Sequence, residues 1–481
     1  MDRNSIIGIV LITILFAVYF YLFNPAQQQQ QQASSPADTS QVNPAATPVP
    51  GQATTTPEAA AEPDSVREKR QRDRFSDLYP VSQGKEETVT VKTDRLTVNI
   101  NTKGGSIRAA YLNEYSTYDS LPVPAIADNS DNQLYFEFPF NNRAIRSYDL
   151  YFTPSVTTAE VHGNDSLVVT MEARIDSARS IEQVYVFHGN TYDLGYRIRM
   201  KGLKNAFGSA GFYDLQWKSH LPRTELALEN MRQKTTVSYR AGKDVEKLKT
   251  DNDHQKEKLS SLSWVAYKSQ FFTSVLIGEK PFRTANLSMY TPGGEEINRV
   301  MDSRLIVDAS PTDDFSNNFR FYFGPNEFYT LRSYSLGLED QMDLGWTIIG
   351  WINKGTTYVF KFLERYVSNY GLIIIILAIL IRLVILPFSL SSYVSMAKMR
   401  IINAAPEIKA LDEKHKDDPQ KLQMAKMGIY REMGVSMFGG CLPMLFSYPF
   451  LIALFFFFPQ AVELRHQPFL WAADLSTYDS I

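Results

Sequence analysis

The sequence predicts a multidomain α+β membrane protein, in which a large antiparallel β-sandwich is joined to an α-helical transmembrane core. Three observations predict it. Period-two alternation recurs from about residue 85 to 338, hydrophobic stretches of bilayer length flank that region, and a Lys/Arg-rich helical segment separates the two downstream stretches. The 481 residues leave room for two or three domains. A formal net charge of −3 with 21% charged residues gives no basis for nucleic-acid binding. The single cysteine, Cys441, excludes an intrachain disulfide and a multi-cysteine metal site; its apolar setting, "GGCLPMLF", is that of a buried inert thiol. The histidines at 162, 188, 220, 254, 415 and 466 show no metal-ligand spacing, so neither metal nor cofactor is indicated.

The chain opens with "IIGIVLITILFAVYFYLF", Ile6 to Phe23, close to the ~20 residues that span hydrocarbon. A cleavable signal would have a shorter apolar core followed by small residues. This run ends in aromatics and "NPAQQQQQQ", which favours an uncleaved anchor over residues 1–24. Residues 25–84 read as a linker, first Gln, Pro and Ala rich, then charged ("DSVREKRQRDRFSD"), with too little apolar surface to offset chain entropy. Residues 85–338 follow as the β domain. "RLTVNI" puts Leu96, Val98 and Ile100 on one face, and "NQLYFEFPF" does the same with Leu134, Phe136, Phe138 and Phe140. No internal repeat, glycine-rich phosphate loop or nucleophile elbow interrupts it, and no catalytic residue is indicated.

After "LEDQMDLGW" the period changes. Residues 346–369 space Trp351, Tyr358, Phe362, Leu363 and Tyr366 near helical periodicity, with Lys361, Glu364 and Arg365 interleaved. The expectation is an amphipathic helix at a membrane surface. Transmembrane helices are expected over 370–390 and 434–459. Pro443 and Pro449 would break a soluble helix but are tolerated within a membrane bundle. Between them, 391–433 reads as a helical hairpin, its second helix starting at Asp418-Pro419. The hairpin carries eight Lys/Arg residues and is expected to stay cytoplasmic. Alternation then puts the β domain and residues 460–481 outside and the N-terminus inside, in a multi-pass protein.

One residue breaks the apolar run "GLIIIILAILIRLVILPF". Arg382 costs about 2.5–3.5 kcal/mol at mid-helix on insertion scales. It could snorkel, since Phe388 lies about 9 Å further along the helix. A purely structural helix would gain from leucine there, however, and neither hydrophobic segment has an acidic residue to pair with it. Water, backbone carbonyls or a visiting ligand remain as partners, which favours an arginine facing the protein's interior.

In "RLVILPFSLSSYVSMAKMR" and "GGCLPMLFSYPFLIALFFFFPQAVELRHQPFLWAADLS" the sequence resembles the YidC-type (YidC/Oxa/Alb) membrane-protein insertases, with weaker likeness in "NTKGGSI" and "SWVAYKSQFF". The resemblance implies a bacterial inner-membrane protein whose periplasmic β domain is a mutarotase-like supersandwich. It implies that Arg382 is the positive charge of a hydrophilic groove and that Ser447 lines this groove. Tyr448 and Pro449 would lie on the helix face that substrate passes. Nascent membrane proteins and the lipid bilayer are the implied partners, with the Sec translocon and the ribosome beside them. The family has five core helices after the β domain, whereas this sequence reaches residue 481 after two, so a C-terminally incomplete chain is expected. A membrane-anchored carbohydrate-binding or mutarotase-like enzyme, which would need a histidine or paired carboxylates in 85–338, is one alternative. A solute transporter, which would need inverted repeats, is the other.

Overall fold

The computed structural model describes residues 64–204, 211–250, 255–309, 312–406, 418–433 and 442–477, with positions 408, 410 and 413. The expected anchor over 1–24, the linker up to residue 63 and Cys441 lie outside the described residues.

Alternating burial builds two sheets. The smaller has five strands in the order Pro122–Ile126, Ile107–Ser116, Leu96–Asn101, Thr88–Thr93 and Thr158–Val161; only the last pair is parallel. The larger has thirteen. Its central path runs Arg143–Arg146, Gln133–Phe140, Phe212–Pro222, Ile297–Asp308, Phe272–Tyr290, Asp314–Pro325, Asp193–Lys201, Ser180–His188, Ser166–Arg174 and Thr153–Pro154. Gln255–Lys268, Thr236–Ala241 and Asp244–Lys247 branch from the long Phe272–Tyr290 strand. Leu96, Val98 and Ile100 of the small sheet share one core with Phe136, Phe138, Trp217 and Phe321 of the large one. Trp217 stacks on Tyr267 at 3.8 Å, and the tyrosine hydroxyl donates to the Trp217 carbonyl, so a buried polar group is satisfied inside the aromatic layer.

The "NTKGGSI" turn shows why glycine is needed. Gly105 has φ +63°, and a Cβ there would strike the Gln183 amide and the Phe152 ring. Gln183 donates to the Gly104 carbonyl at 2.6 Å and Tyr185 to that of Gly105 at 2.8 Å, which pins the turn into the core.

One expectation fails at the domain's start. Residues 64–84, read as linker, include helix α1 (Asp64–Phe75) and two 3-10 turns packed on the sandwich. The charged composition concealed three anchors, since Phe75, Leu78 and Val81 are buried in the main core. Two of its arginines are partnered, Arg72 with Glu68 one turn back at 2.7 Å and Arg74 with Asp149 of the β domain at 2.8 Å.

Two short helices, α2 (Leu228–Lys234) and α3 (Phe328–Ser333), lie within the β domain. Beyond it come α4 (Thr347–Glu364), α5 (Tyr370–Asn403), α6 (Pro419–Glu432) and α7 (Leu442–Phe457). The segment expected to be helical over 346–369 ends earlier, because the chain turns at 365–369 and Asn369 caps α5 by accepting from Leu372 N at 3.1 Å. Helix α5 does not stop at 390: it runs through Pro387 to Asn403, so the first arm of the hairpin is the same helix. Proline removes one backbone donor, and the following "SSYVSMAKMR" has no glycine or proline to end the helix. The arm packs on α6 through Ile402, Ile408 and Tyr430. Asp418 accepts from Lys421 N at 3.1 Å at the start of α6. Among the described residues, α5 is the one helix long and apolar enough to cross a membrane.

Candidate substrate groove and its periplasmic frame

Two contacts fix how α5 and α7 meet. Ile373, near the start of α5, clusters with Phe360 of α4, with Phe457 at the end of α7 and with Ala461 beyond it. Phe388, lower on α5, stacks on Phe446 near the start of α7 at 4.1 Å. The numbers run in opposite directions, so the helices are antiparallel. At about 100° per residue, Arg382 points roughly 120° away from Phe388 and roughly 140° away from the buried Leu377. It leaves the seam between the helices and is exposed. Among the described residues, no hydrogen-bond or ion-pair partner holds its guanidinium.

Ser447, one residue past Phe446, is half-buried and engaged. From the helix rise and the Phe388–Phe446 contact it sits about 7–8 Å along the helix axis from the level of Arg382. Tyr448 is exposed on the side of α7 away from Phe446, Ala453 and Phe457, and Pro449 is half-buried within the helix. The four residues thus lie on two adjoining antiparallel helices, and Arg382 makes no hydrogen bond to the other three.

Both sides of α4 carry large apolar side chains, since Ile349 and Phe360 are buried against the rest of the molecule. Its covered side includes Asn353, which donates to the Leu344 carbonyl at 2.7 Å, and Thr356, whereas Trp351 is 80% exposed and Tyr358 and Phe362 are also outside. Two residues of the expected stripe depart from it. Leu363 packs inward against the α5–α7 cluster, and the exposed Tyr366 lies beyond the helix end.

Polar contacts bind the sandwich to this core. Arg465, just after α7, donates to Glu225 at 2.9 and 3.0 Å and to the Thr224 carbonyl, with the Phe272 ring 5.3 Å from its guanidinium. The pair is interior, with 2% and 10% of the two side chains exposed. Burial lifts the Glu225 pKa, and Arg465 opposes that rise. Gln270 donates to the Pro459 carbonyl at 2.9 Å, and Gln460 donates to the Asp343 carbonyl at 3.0 Å. Lys361 of α4 bridges Glu327 at 2.7 Å and Glu364 at 3.0 Å. At the top of α5, Phe469 lies against Gly371 so closely that any Cβ would enter its ring.

A cleft of about 380 Å³ opens at this junction, among Glu114, Ser116, Glu327, Lys361, Glu463 and His466. Glu463 is pushed up to about 7, first by desolvation and then by Glu327 and Glu364. Another hollow lies on the polar face of the large sheet, lined by Gln216, Lys258, Asn286, Asp302 and Arg304, where Gln216 binds Asp302 and Arg304 binds Asp214.

The motifs "SWVAYKSQFF" and "VELR" supply Gln270, Phe272 and Arg465 to the junction. Their role escaped sequence reasoning because the partner of Arg465 lies 240 residues away.

A helix of bilayer length, with an arginine that has no partner among the described residues, joined to a large β-sandwich defines a class: membrane proteins that carry a large β domain outside the bilayer. Residues 88–357 match the family model described as YidC periplasmic domain, and 362–481 match 60Kd inner membrane protein. The chain is 32% identical over 502 residues to the membrane protein insertase YidC of Parabacteroides distasonis, spanning 100% of this chain and 78% of that protein. It is 33% identical over 495 residues to that of Bacteroides fragilis, covering 100% and 77%. Among solved structures, it resembles YidC from Thermotoga maritima (11% identity, TM-score 0.31, 66% of this chain and 75% of that one). It also resembles a putative aldose 1-epimerase from Escherichia coli (8%, TM-score 0.33, 50% and 100%). The chain belongs to the YidC family of membrane protein insertases, and residues 88–357 are its periplasmic domain.

Proposed function

We propose that the chain inserts membrane proteins by passing their short extracytoplasmic segments along a wet, cationic path at Arg382 and releasing their hydrophobic segments sideways into lipid. One observation carries this reading: Arg382 is exposed on an otherwise apolar spanning helix with no partner among the described residues. An arginine held there without a protein partner costs several kcal/mol unless water or a passing polar segment solvates it. A short acidic or polar segment gains from the same charge, so its cost of entering the bilayer falls as it meets the helix. Ser447 adds a polar group on α7, and Tyr448 and Pro449 offer a surface for the substrate's apolar part. Helix α4 lies in the periplasmic interface with Trp351, Tyr358 and Phe362 in lipid, which accounts for its outward aromatic face. The Lys/Arg-rich hairpin is cytoplasmic, the N-terminus lies on the same side, and the chain crosses the membrane more than once. Cooperation with the Sec translocon and the ribosome belongs to this reading on family resemblance.

Crosslinking tests the path. A photoreactive residue at position 382, 447, 448 or 449 should capture a stalled nascent membrane protein, and one at the buried Ile373 should not. Equal capture at all five positions, or capture at 373 alone, would remove the groove from this face of α5.

A further inference from the structure

Four strand ends of the sandwich meet the helices. Ser116 ends its strand 3.5 Å from His466, and the Phe212–Pro222 strand leads into Thr224 and Glu225, which hold Arg465. The turn carrying Gln270 reaches Pro459, and Glu327, just after the Asp314–Pro325 strand, reaches Lys361. The last two ends are covered, with Phe271, Phe272 and Phe328 buried. The first two are not. Beyond Ser116 the turn exposes Tyr118 (43%) and Leu121 (59%), and beyond Thr224 the chain exposes Leu226 (42%).

These two turns form one fixed tip. Tyr118 N donates to the Thr224 carbonyl at 3.1 Å. Arg223 sits 4.9 Å from the Tyr118 ring centre and donates to the carbonyls of Glu225 at 3.1 Å and Leu226 at 2.5 Å. Thr117 N donates to the Leu121 carbonyl at 2.7 Å, and Leu121 N donates back to the Thr117 hydroxyl at 3.1 Å. Three large apolar side chains are therefore held outward on a closed double turn. They lie at the end of the sandwich that abuts the top of the spanning helices, where Phe469 packs on Gly371 and the next two residues, Leu470 and Trp471, are each 75% exposed.

We propose that Tyr118, Leu121 and Leu226 dip into the headgroup region of the periplasmic leaflet, giving the β domain a lipid contact of its own, separate from α4. The occupant is the phospholipid surface because the tip adjoins, through Ser116–His466 and Thr224–Arg465, the segment that runs on to Phe469 at the start of the bilayer-length helix and to the exposed Leu470 and Trp471. A preformed apolar cluster at that level loses water on contact with lipid without ordering any new chain.

Full-length protein in phospholipid nanodiscs tests the proposal. Cys441→Ser removes the native thiol, and single cysteines replace Leu121, Leu226 or Ser177, the last in the turn at the opposite end of the sandwich. Each carries an environment-sensitive dye. Dyes at 121 and 226 should be quenched severalfold more by headgroup-nitroxide lipid than the dye at 177, and severalfold less by aqueous iodide. Iodide quenching equal to that at 177 would place the tip in water. Protection from both quenchers would mean that protein covers it, and either result overturns the proposal. Either labelled position decides alone if the other variant fails to fold.

Discussion

Arg465, after α7, and Arg382, within α5, are treated in opposite ways. Arg465 is enclosed with Glu225, an aromatic ring and a backbone carbonyl. Arg382 projects from an apolar helix with no partner among the described residues. At the junction Arg465 is matched by a counter-charge, and the pair holds the sandwich to the segment after α7. On α5 the charge has no partner among the described residues. A cation that stabilises the fold is satisfied by the fold, whereas one kept unsatisfied is available to something that arrives.

The largest effect that could break this comparison is on stability. Arg465→Ala strands Glu225 in the interior and should cost about 3–5 kcal/mol, read as a drop in the thermal midpoint of the purified protein. Replacing both members by methionine should recover much of that loss. Arg382→Ala should change the midpoint little or raise it, since it removes a charge that no described group satisfies. Equal losses for the two alanine variants would erase the distinction.

Gly371→Ala probes the frame where α5 begins. The added methyl enters the Phe469 ring, and displacing that ring should cost about 1–3 kcal/mol. The additional variant Phe469→Ala should relieve the clash, so the double variant should lose less than the sum of the two single losses.

A smaller effect depends on pH. Glu463 rises from its usual range to about 7, so the folded state favours its protonated form. Its contribution is fully present below about pH 4.5 and is lost as pH rises through about 7. Full linkage for that shift is on the order of 3 kcal/mol, and partial exposure reduces it to about 1–2 kcal/mol. Glu463→Gln should therefore be the more stable protein at pH 8 and should flatten the decline in thermal midpoint between pH 5 and 8. An unchanged slope would show that Glu463 is ionised throughout.

The comparison also separates what the sequence could disclose from what it could not. Half-buried strands such as Gln133–Phe140 write their faces in alternate residues, and α5 announces itself by length and apolarity. Arg382 stood out because a charge inside an apolar run is a local anomaly. Arg465 did not, because its setting depends on Glu225, far away in the chain, and "VELR" alone looks like any polar loop. Helix α1 was hidden for a related reason: three buried residues anchor a segment whose composition is otherwise that of a linker. The length of α5 past Pro387 was hidden because an interior proline ordinarily kinks or ends a helix, whereas here the helix continues through it to Asn403.

The central claim is that Arg382 acts as a positive field for passing segments rather than as a structural residue. The direct measurement is insertion of matched substrates differing only in the charge of the leading extracytoplasmic segment, in cells whose sole copy of this protein carries Arg382→Lys, Arg382→Ala or Arg382→Glu. The lysine variant should retain substantial insertion, because an ammonium brings the same charge to the same water. The alanine and glutamate variants should impair acidic segments most, with glutamate the more severe, and leave uncharged or basic segments favoured. Wild-type rates for every substrate in all three variants would contradict the claim and reduce Arg382 to a residue that snorkels to the headgroups.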